Sequence, residues 1–583
     1  MSAGGPGGPG GSEWDDDAAQ EFWADDAVAD EVEVVEAVVE DDEWEDEVAD
    51  DAVDEVDPVA VESGDEWVEA DGDDEWLDAD AWVEADPDET AVADAAGGGP
   101  PGPEAPAAAS GGGGRPRRNR AVRVVVLAVL LAMLAGGIAL GRRTPEVTPV
   151  RVATAGLDGP EVPPADAVST AWYCSAGTSS RGGSEDETIY VANLSPEPIT
   201  ADVTVDPGSG QDPQTARLQI DGYERASLPV SEVLAVDSPG VVVEVAGGAA
   251  VVEHEIRNAG DLAMSPCSHE PSATWYFAGG GTPKGTTQAL ELFNPFGDDA
   301  IVDIAFLTEG GVQEPQAMQG LVVGRRSKVL VPVTDLVARQ ERVATVIRTR
   351  TGRVVAEQIR TFDGTDGRSG LTLSLGAAAP RQQWTLPVAQ AQTGATGVVA
   401  IANFGLTPAS VEVAVLLSGE GVLVPETVDV PSRSVVHFDP SPRIPVGTTY
   451  SLVVTAQGDK AVVAEAVVTA PNGAATTIGA STAARRWAFA GSPDRASSAV
   501  VAVNRGAVPL TVELRAYTAG DPNSPHSAPA IAVAPGTSVR FDLDEWGIDP
   551  DQVLVVAADG PIVVGRETYA GGVSLALGIP FAD

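Results

Sequence analysis

The sequence predicts an all-β protein, with four tandem immunoglobulin-like β-sandwich repeats following a single transmembrane helix and a disordered acidic N-terminal tail. Three observations lead there. Residues 124–141 read VVVLAVLLAMLAGGIALG, an uncharged apolar run of 18. Residues 1–114 hold 39 Asp and Glu and no Lys or Arg. Four stretches opening on Trp172, Trp275, Trp384 and Trp487 recur at intervals of 103, 109 and 103 residues.

The tail occupies residues 1–96. Its carboxylates repel one another, and its scattered Ala, Val and Trp are too few to bury a core that offsets chain entropy. Six of the eleven tryptophans lie here: Trp14, Trp23, Trp44, Trp67, Trp76 and Trp82. One reading is a solvated charge run; another is a set of aromatic anchors for a basic protein partner with an apolar groove. A third has the tail folding back on the arginines that follow. Residues 97–123 are a Gly/Pro linker ending in a basic collar, Arg115, Arg117, Arg118, Arg120 and Arg123. Beyond the tail, 49 acidic residues face 34 basic ones, a net −15 that lacks the clustered positive charge of a nucleic-acid binder. No nucleic-acid partner is expected.

The run at 124–141 is long enough to cross a bilayer as a slightly short helix. Five arginines precede it, against Arg142, Arg143 and Arg151 after it, and excess flanking Lys/Arg stays in the cytoplasm. This predicts a signal anchor in the cell membrane, with the N-terminus cytoplasmic and the C-terminal domains extracytoplasmic. The alternative is a cleaved signal peptide with Ala139-Leu140-Gly141 as a loose cleavage site, but a signal peptide would carry its charge near the start of the chain. Residues 142–168 read as an extracytoplasmic linker. Cys174 and Cys267, the two cysteines, both lie beyond the span. An oxidising compartment lets them pair, closing a loop of roughly 90 residues worth about 4 kcal/mol in the chain-entropy model.

The repeats are taken as 169–271, 272–380, 381–483 and 484–583. After each Trp comes an apolar run ending in Asn193, Asn294, Asn403 or Asn504. Six residues on, a strand alternates with period two: Ile199, Ala201, Val203; Ala300, Val302, Ile304; Ala409, Val411, Val413; Leu510, Val512, Leu514. Such alternation puts one face on a core and the other in water. A Gly-containing turn, a strand beside Arg or Ser, and a Val-rich hairpin complete each unit. About seven strands in about 105 residues match an immunoglobulin-like sandwich. The alternative is a single β-propeller, in which about 28 strands make seven four-stranded blades. Cys174 in the first strand of its unit and Cys267 just after the last favour self-closed modules, because pairing them requires the ends of one unit to meet.

Together the Trp segment, the run to Asn, the alternating strand, the Arg/Ser strand and a closing Val-Val-x-Glu strand resemble an uncharacterised family of actinobacterial membrane-anchored extracytoplasmic β-repeat proteins. The resemblance covers roughly residues 165–583. It implies a place at the cell envelope and a role in envelope or surface-polysaccharide biology, and it brings no catalytic residues.

The recurring residues point to structural duty. A Trp in one register of four copies is a core plug, the alternative being an exposed platform for sugars; Asn at a strand end caps a turn through its own side chain. Asn193-Leu194-Ser195 matches a glycosylation sequon, as one site in a chain this long does by chance. His254, His269, His437 and His526 lack metal-ligand spacing. No G-x-S-x-G, phosphate loop or H-E-x-x-H occurs. Acid pairs such as Asp298-Asp299 and Asp542, Asp544 and Glu545 fall in or near expected loops, with calcium or glycosidase roles the minor readings. The expectation is therefore a non-enzymatic envelope protein with no cofactor and no metal, binding or scaffolding an envelope polysaccharide, peptidoglycan or protein. The alternative is a membrane-tethered accessory or hydrolase acting on surface polysaccharide.

Overall fold

Unit 1 folds into eight strands: β1 (Ser169–Cys174), β2 (Asp186–Asn193), β3 (Ile199–Asp206), β4 (Gln214–Ile220), β5 (Arg225–Pro229), β6 (Gly240–Ala246), β7 (Ala250–Asn258) and β8 (Asp261–Pro266). These strands and the units they found belong to a computed structural model that describes residues 159–581, except 165–166, 181–184, 209–210, 248, 259, 420, 471–472 and 518–524. The acidic tail, the basic collar and the apolar run at 124–141 lie outside the described residues. Among those described, no helix is long and apolar enough to cross a membrane.

The strands form two antiparallel sheets, β1-β6-β3-β4 and β5-β2-β7-β8. In β3 the buried Ile199, Ala201, Val203 and Val205 alternate with half-buried Thr200, Asp202 and Thr204, so this strand has one dry face. By contrast β7 is buried from Ala250 through Ile256 without a break. The difference follows from position. One face of its sheet packs on β1, β3 and β6 in a shared core, and the other meets a neighbouring unit. The pairings β5-β2 and β6-β3-β4 are those of an immunoglobulin sandwich, whereas β1 lies beside β6 and β7 beside β2.

Units 2 and 3 repeat both sheets, in the orders that place Thr274–Gly280 and Gln383–Gln390 as first strands and Ser369–Leu375 and Gly473–Ile478 as last. In unit 4 one long strand, Val553–Ala570, serves both sheets. Its first part pairs with Leu510–Tyr517 and Ala484–Phe489, and its second with Ser497–Asn504 and Gly572–Leu577.

The four units close into a ring. The last strand of each packs against the last strands of the two units beside it, β8 against Ser369–Leu375 and Gly572–Leu577, and Gly473–Ile478 against the same two. Side chains are excluded where these strands begin. A Cβ on Gly370 (φ +124°) would lie 2.5 Å from the Ala474 nitrogen, and one on Gly571 (φ +89°) 2.2 Å from the Gly260 oxygen. The start and end of the described chain also meet, with the Val162 N–H donating to the Pro580 carbonyl at 2.8 Å.

Cys174 and Cys267 are joined in a disulfide across 93 residues of sequence, and next to it Tyr173 bridges Ser268. Tyr276 with Ala377 and Thr385 with Ala480 make the same bridge in units 2 and 3. The ends of a unit therefore meet although the units also form a ring. Cysteine placement, which the sequence reading used to favour separate modules over a closed assembly, does not discriminate between them.

Candidate functional site

The four recurring tryptophans are interior, at 0 to 3% exposure. The indole N–H groups of Trp275, Trp384 and Trp487 donate to the carbonyls of Val354 (2.7 Å), Val462 (2.6 Å) and Ile562 (2.9 Å). Trp172 has no such acceptor and lies against His269, ring centres 6.0 Å apart.

The four asparagines act identically. Each Nδ2 donates to the carbonyl four residues on and to the end of the strand that pairs with the alternating one, and each Oδ1 accepts from the N–H two residues on. For Asn294 the carbonyls are those of Asp298, Val323 and Gly324 and the donor is Phe296. Asn193, Asn403 and Asn504 repeat the set. Asn193 is fully buried and so engaged, which removes the sequon from the folded surface.

Sequence reasoning missed the residues that fasten the ring. Each junction holds a buried carboxylate from the strand of one unit that corresponds to β7, accepting backbone N–H groups that follow the Trp of the preceding unit. Glu357 accepts from Ser175 and Ala176 at 2.8 and 2.9 Å. Glu465 accepts from Ala278 and Gly279 at 3.0 and 2.9 Å, and Glu253 accepts from Ala490 at 2.6 Å. At the fourth junction the residue in the donor position is Pro387, which has no N–H. There the pairing register puts Gly565 where the other units have Glu, and a Cβ on Gly565 would lie 2.9 Å from the Pro387 Cβ. Glu567, two residues along and on the same face, accepts instead from the Gln390 N–H at 2.7 Å. A Glu recurring inside an otherwise apolar strand was the available signal.

The carboxylates differ in what neutralises them. Glu253 pairs with the buried Arg566 through two hydrogen bonds, a fork geometry that suits the carboxylate. Glu357 accepts from His254 at 2.8 Å, and the other ring nitrogen of His254 meets Glu187 at 2.9 Å. Burial opposes charge on His254, but the Glu357 carboxylate and the hydrogen bonds to Glu187 and Glu357 outweigh it and push the imidazole up to about 10. Glu465 has only backbone donors and a distant Arg360; burial pushes it up to about 7. Ligand-type atoms of Cys174, His254 and Cys267 come within 4.8 Å of one another, but the two sulfurs are committed to the disulfide.

Where the last strands end, they surround an axial pocket of about 60 Å³. Residues 264–266, 373–376, 476–482 and 575–578 line it, with Gly159, Pro160, Trp487 and Pro580. No charged side chain is among them. The equivalent hydroxyls of Ser265, Ser374 and Thr477 donate to the carbonyls of Pro266, Leu375 and Ile478 at 3.3 to 3.4 Å. The fourth equivalent is Ala576. A hydroxyl nucleophile needs a base within hydrogen-bond reach, and these face carbonyls. The pocket offers apolar contact and hydrogen-bonding groups.

Structure and site together define an all-β ring of four two-sheet units with an uncharged pocket on its axis. The chain belongs to a family of unknown function, DUF5719, whose model matches residues 249–544, from inside unit 1 to inside unit 4. No curated protein matches it. Among solved structures, it is similar to the Streptomyces avermitilis α-L-rhamnosidase complexed with L-rhamnose, at 11% identity over 65% of this chain and 55% of that one, with a TM-score of 0.09. A tetra-tandem repeat in the extending region of a large adhesion protein matches at 12% identity over 71% of this chain and 99% of that one, also at 0.09. TM-scores this low carry no structural argument.

Proposed function

We propose that this chain is a non-enzymatic, single-pass protein of an actinobacterial cell envelope, whose β-ring lies outside the membrane and binds or scaffolds an envelope polysaccharide, peptidoglycan or protein. In this reading each unit is an immunoglobulin-like sandwich, and the acidic tail recruits a basic protein on the cytoplasmic side. The observation that carries the binding role is the axial pocket, where four equivalent strand ends converge without a charged side chain in the lining. The anchor rests on the apolar run at 124–141 and its arginine collar.

The test is a pull-down of the full chain, in mild detergent, with isolated envelope polymers at low and moderate salt. Salt-resistant retention on one polymer is the expected result, reduced by widening one pocket wall with Leu575→Ala. Retention on none turns the proposal toward a protein partner, to be sought by crosslinking in intact cells. Release of soluble sugar from a polymer would overturn the non-enzymatic reading in favour of a tethered hydrolase.

A further inference from the structure

The junction between units 2 and 3 gathers arginines around a cavity. That cavity is a pocket of about 380 Å³. Arg342, Arg360, Arg368 and His437 line it, with Glu309 and Glu341 as the lining acids. Arg360 is 5% exposed. Its Nη2 donates to the Thr476 hydroxyl at 2.9 Å and its guanidinium lies 5.3 Å over the Phe362 ring, but its Nε is buried without a partner. It makes no ion pair among the described residues. The buried acid whose charge acts on it, Glu465, is committed to two backbone N–H groups.

Two more buried nitrogens have no partner there, the Nε of Arg342 and the Nε2 of His437. Arg342 pairs through its Nη2 with Glu309 at 2.8 Å. Burial and the charges of Arg342 and Arg360 hold His437 down to about 4, so its ring is neutral at pH 7. Pairing register places Ile256, Val468 and Thr568 where unit 2 has Arg360. The position of His437 is Ser227, Leu330 or Arg540 elsewhere. In unit 4 that Arg540 is answered by Glu567 at 3.1 Å and Asp542 at 2.5 Å. In unit 3 the place of Glu567 is taken by Val467, which lines the pocket. A buried guanidinium with an unmet donor is costly unless something supplies the missing acceptor.

We propose that this junction pocket is an oxyanion site, receiving a carboxylate or phosphate group of an acidic envelope polymer between the guanidinium groups of Arg342 and Arg360, with His437 as a hydrogen-bond partner. The identity of the polymer rests on the envelope-binding reading above; the site itself does not. Planar guanidinium forks suit both oxyanions. The Phe362 ring gives a sugar carrying the group an apolar face.

The experiment is calorimetric titration of the full chain with inorganic phosphate and, separately, glucuronate, with chloride at matched ionic strength as the control. Saturable binding of one or both is expected, and which one binds identifies the group. Arg360→Met should weaken it at least about tenfold. Because that buried position also supports folding, Arg342→Gln, a half-exposed site, serves as the second variant and should weaken it by about threefold or more. Arg217→Gln, at an exposed pair with Asp202 in unit 1, should change nothing. Heats equal to those of chloride, or binding unaffected by Arg342→Gln in a folded chain, would overturn the proposal. Phosphate or glucuronate binding by a chain that no envelope polymer retains would support the pocket and overturn the polymer reading instead.

Discussion

In unit 1 the second residue after the Trp and the first residue after the last strand are Cys174 and Cys267, bonded to each other. In units 2, 3 and 4 the same two places hold Phe277 and Gly376, Leu386 and Gly479, and Phe489 and Gly578. A Cβ on Gly376 would lie 2.8 Å from the Phe277 ring, one on Gly578 2.9 Å from the Phe489 ring, and one on Gly479 3.2 Å from the Leu386 side chain. One small space is thus filled either by a covalent bridge or by a large side chain resting on a bare glycine. The comparison teaches that the disulfide is a local substitute for packing, at a closure all four units make. It also explains why a single cysteine pair serves four repeats.

The largest expected effect comes from removing the bridge. Cys174→Ala with Cys267→Ala should cost about 4 kcal/mol, read as a lowered urea midpoint. Cys174→Phe with Cys267→Gly should recover a substantial part of it; no recovery would show that the two closures are not equivalent. Next, Phe277→Ala should cost about 3 kcal/mol by leaving a cavity over Gly376, and Gly376→Ala about 2 kcal/mol by forcing a Cβ into the ring.

A second comparison, among the junctions, sets the next test. Glu465→Ala should cost about 2 kcal/mol, since the Ala278 and Gly279 N–H groups lose their acceptor. Gly565→Glu should destabilise unless Pro387→Ala accompanies it, because only the pair restores both space and donor. If Gly565→Glu alone is tolerated, the account of that junction is wrong.

The remaining perturbation is pH. His254, held near 10 against an ordinary 6.5, contributes stability that is fully present below about 6.5 and is lost as pH climbs to about 10. Glu185 and Glu465, held near 7 against 4.5, act in the same sense, their penalty growing as pH rises to 7. His437, held near 4, opposes them only below 6.5. The thermal midpoint should therefore fall steadily from pH 6.5 to 10, and His254→Gln should flatten that slope.

Much of the repeat was legible beforehand. Strict alternation from Ile199, Ala300, Ala409 and Leu510 marks strands with one dry face, and the Asn six residues earlier marks the turn it holds. These are local properties: side-chain period and a polar group bonding its own backbone neighbours. The closing Val-rich strand was visible too, with its Glu357 in unit 2 and its Glu567 in unit 4. The pairing register sets them two residues apart. Composition could not reveal this, because the shift answers a missing N–H at Pro387, 180 residues away in the chain.

By itself, then, the sequence determined that residues beyond 168 would form four β-units of one pattern, because alternation dictates which face of a strand is buried. Only the tertiary structure decided what each face is buried against. That choice closed the units into a ring, made four glutamates its fasteners, and left the Arg360 guanidinium facing a pocket. Its physical basis is that a buried carboxylate or guanidinium is tolerable only with partners, and here those partners come from another unit, beyond the reach of any local pattern.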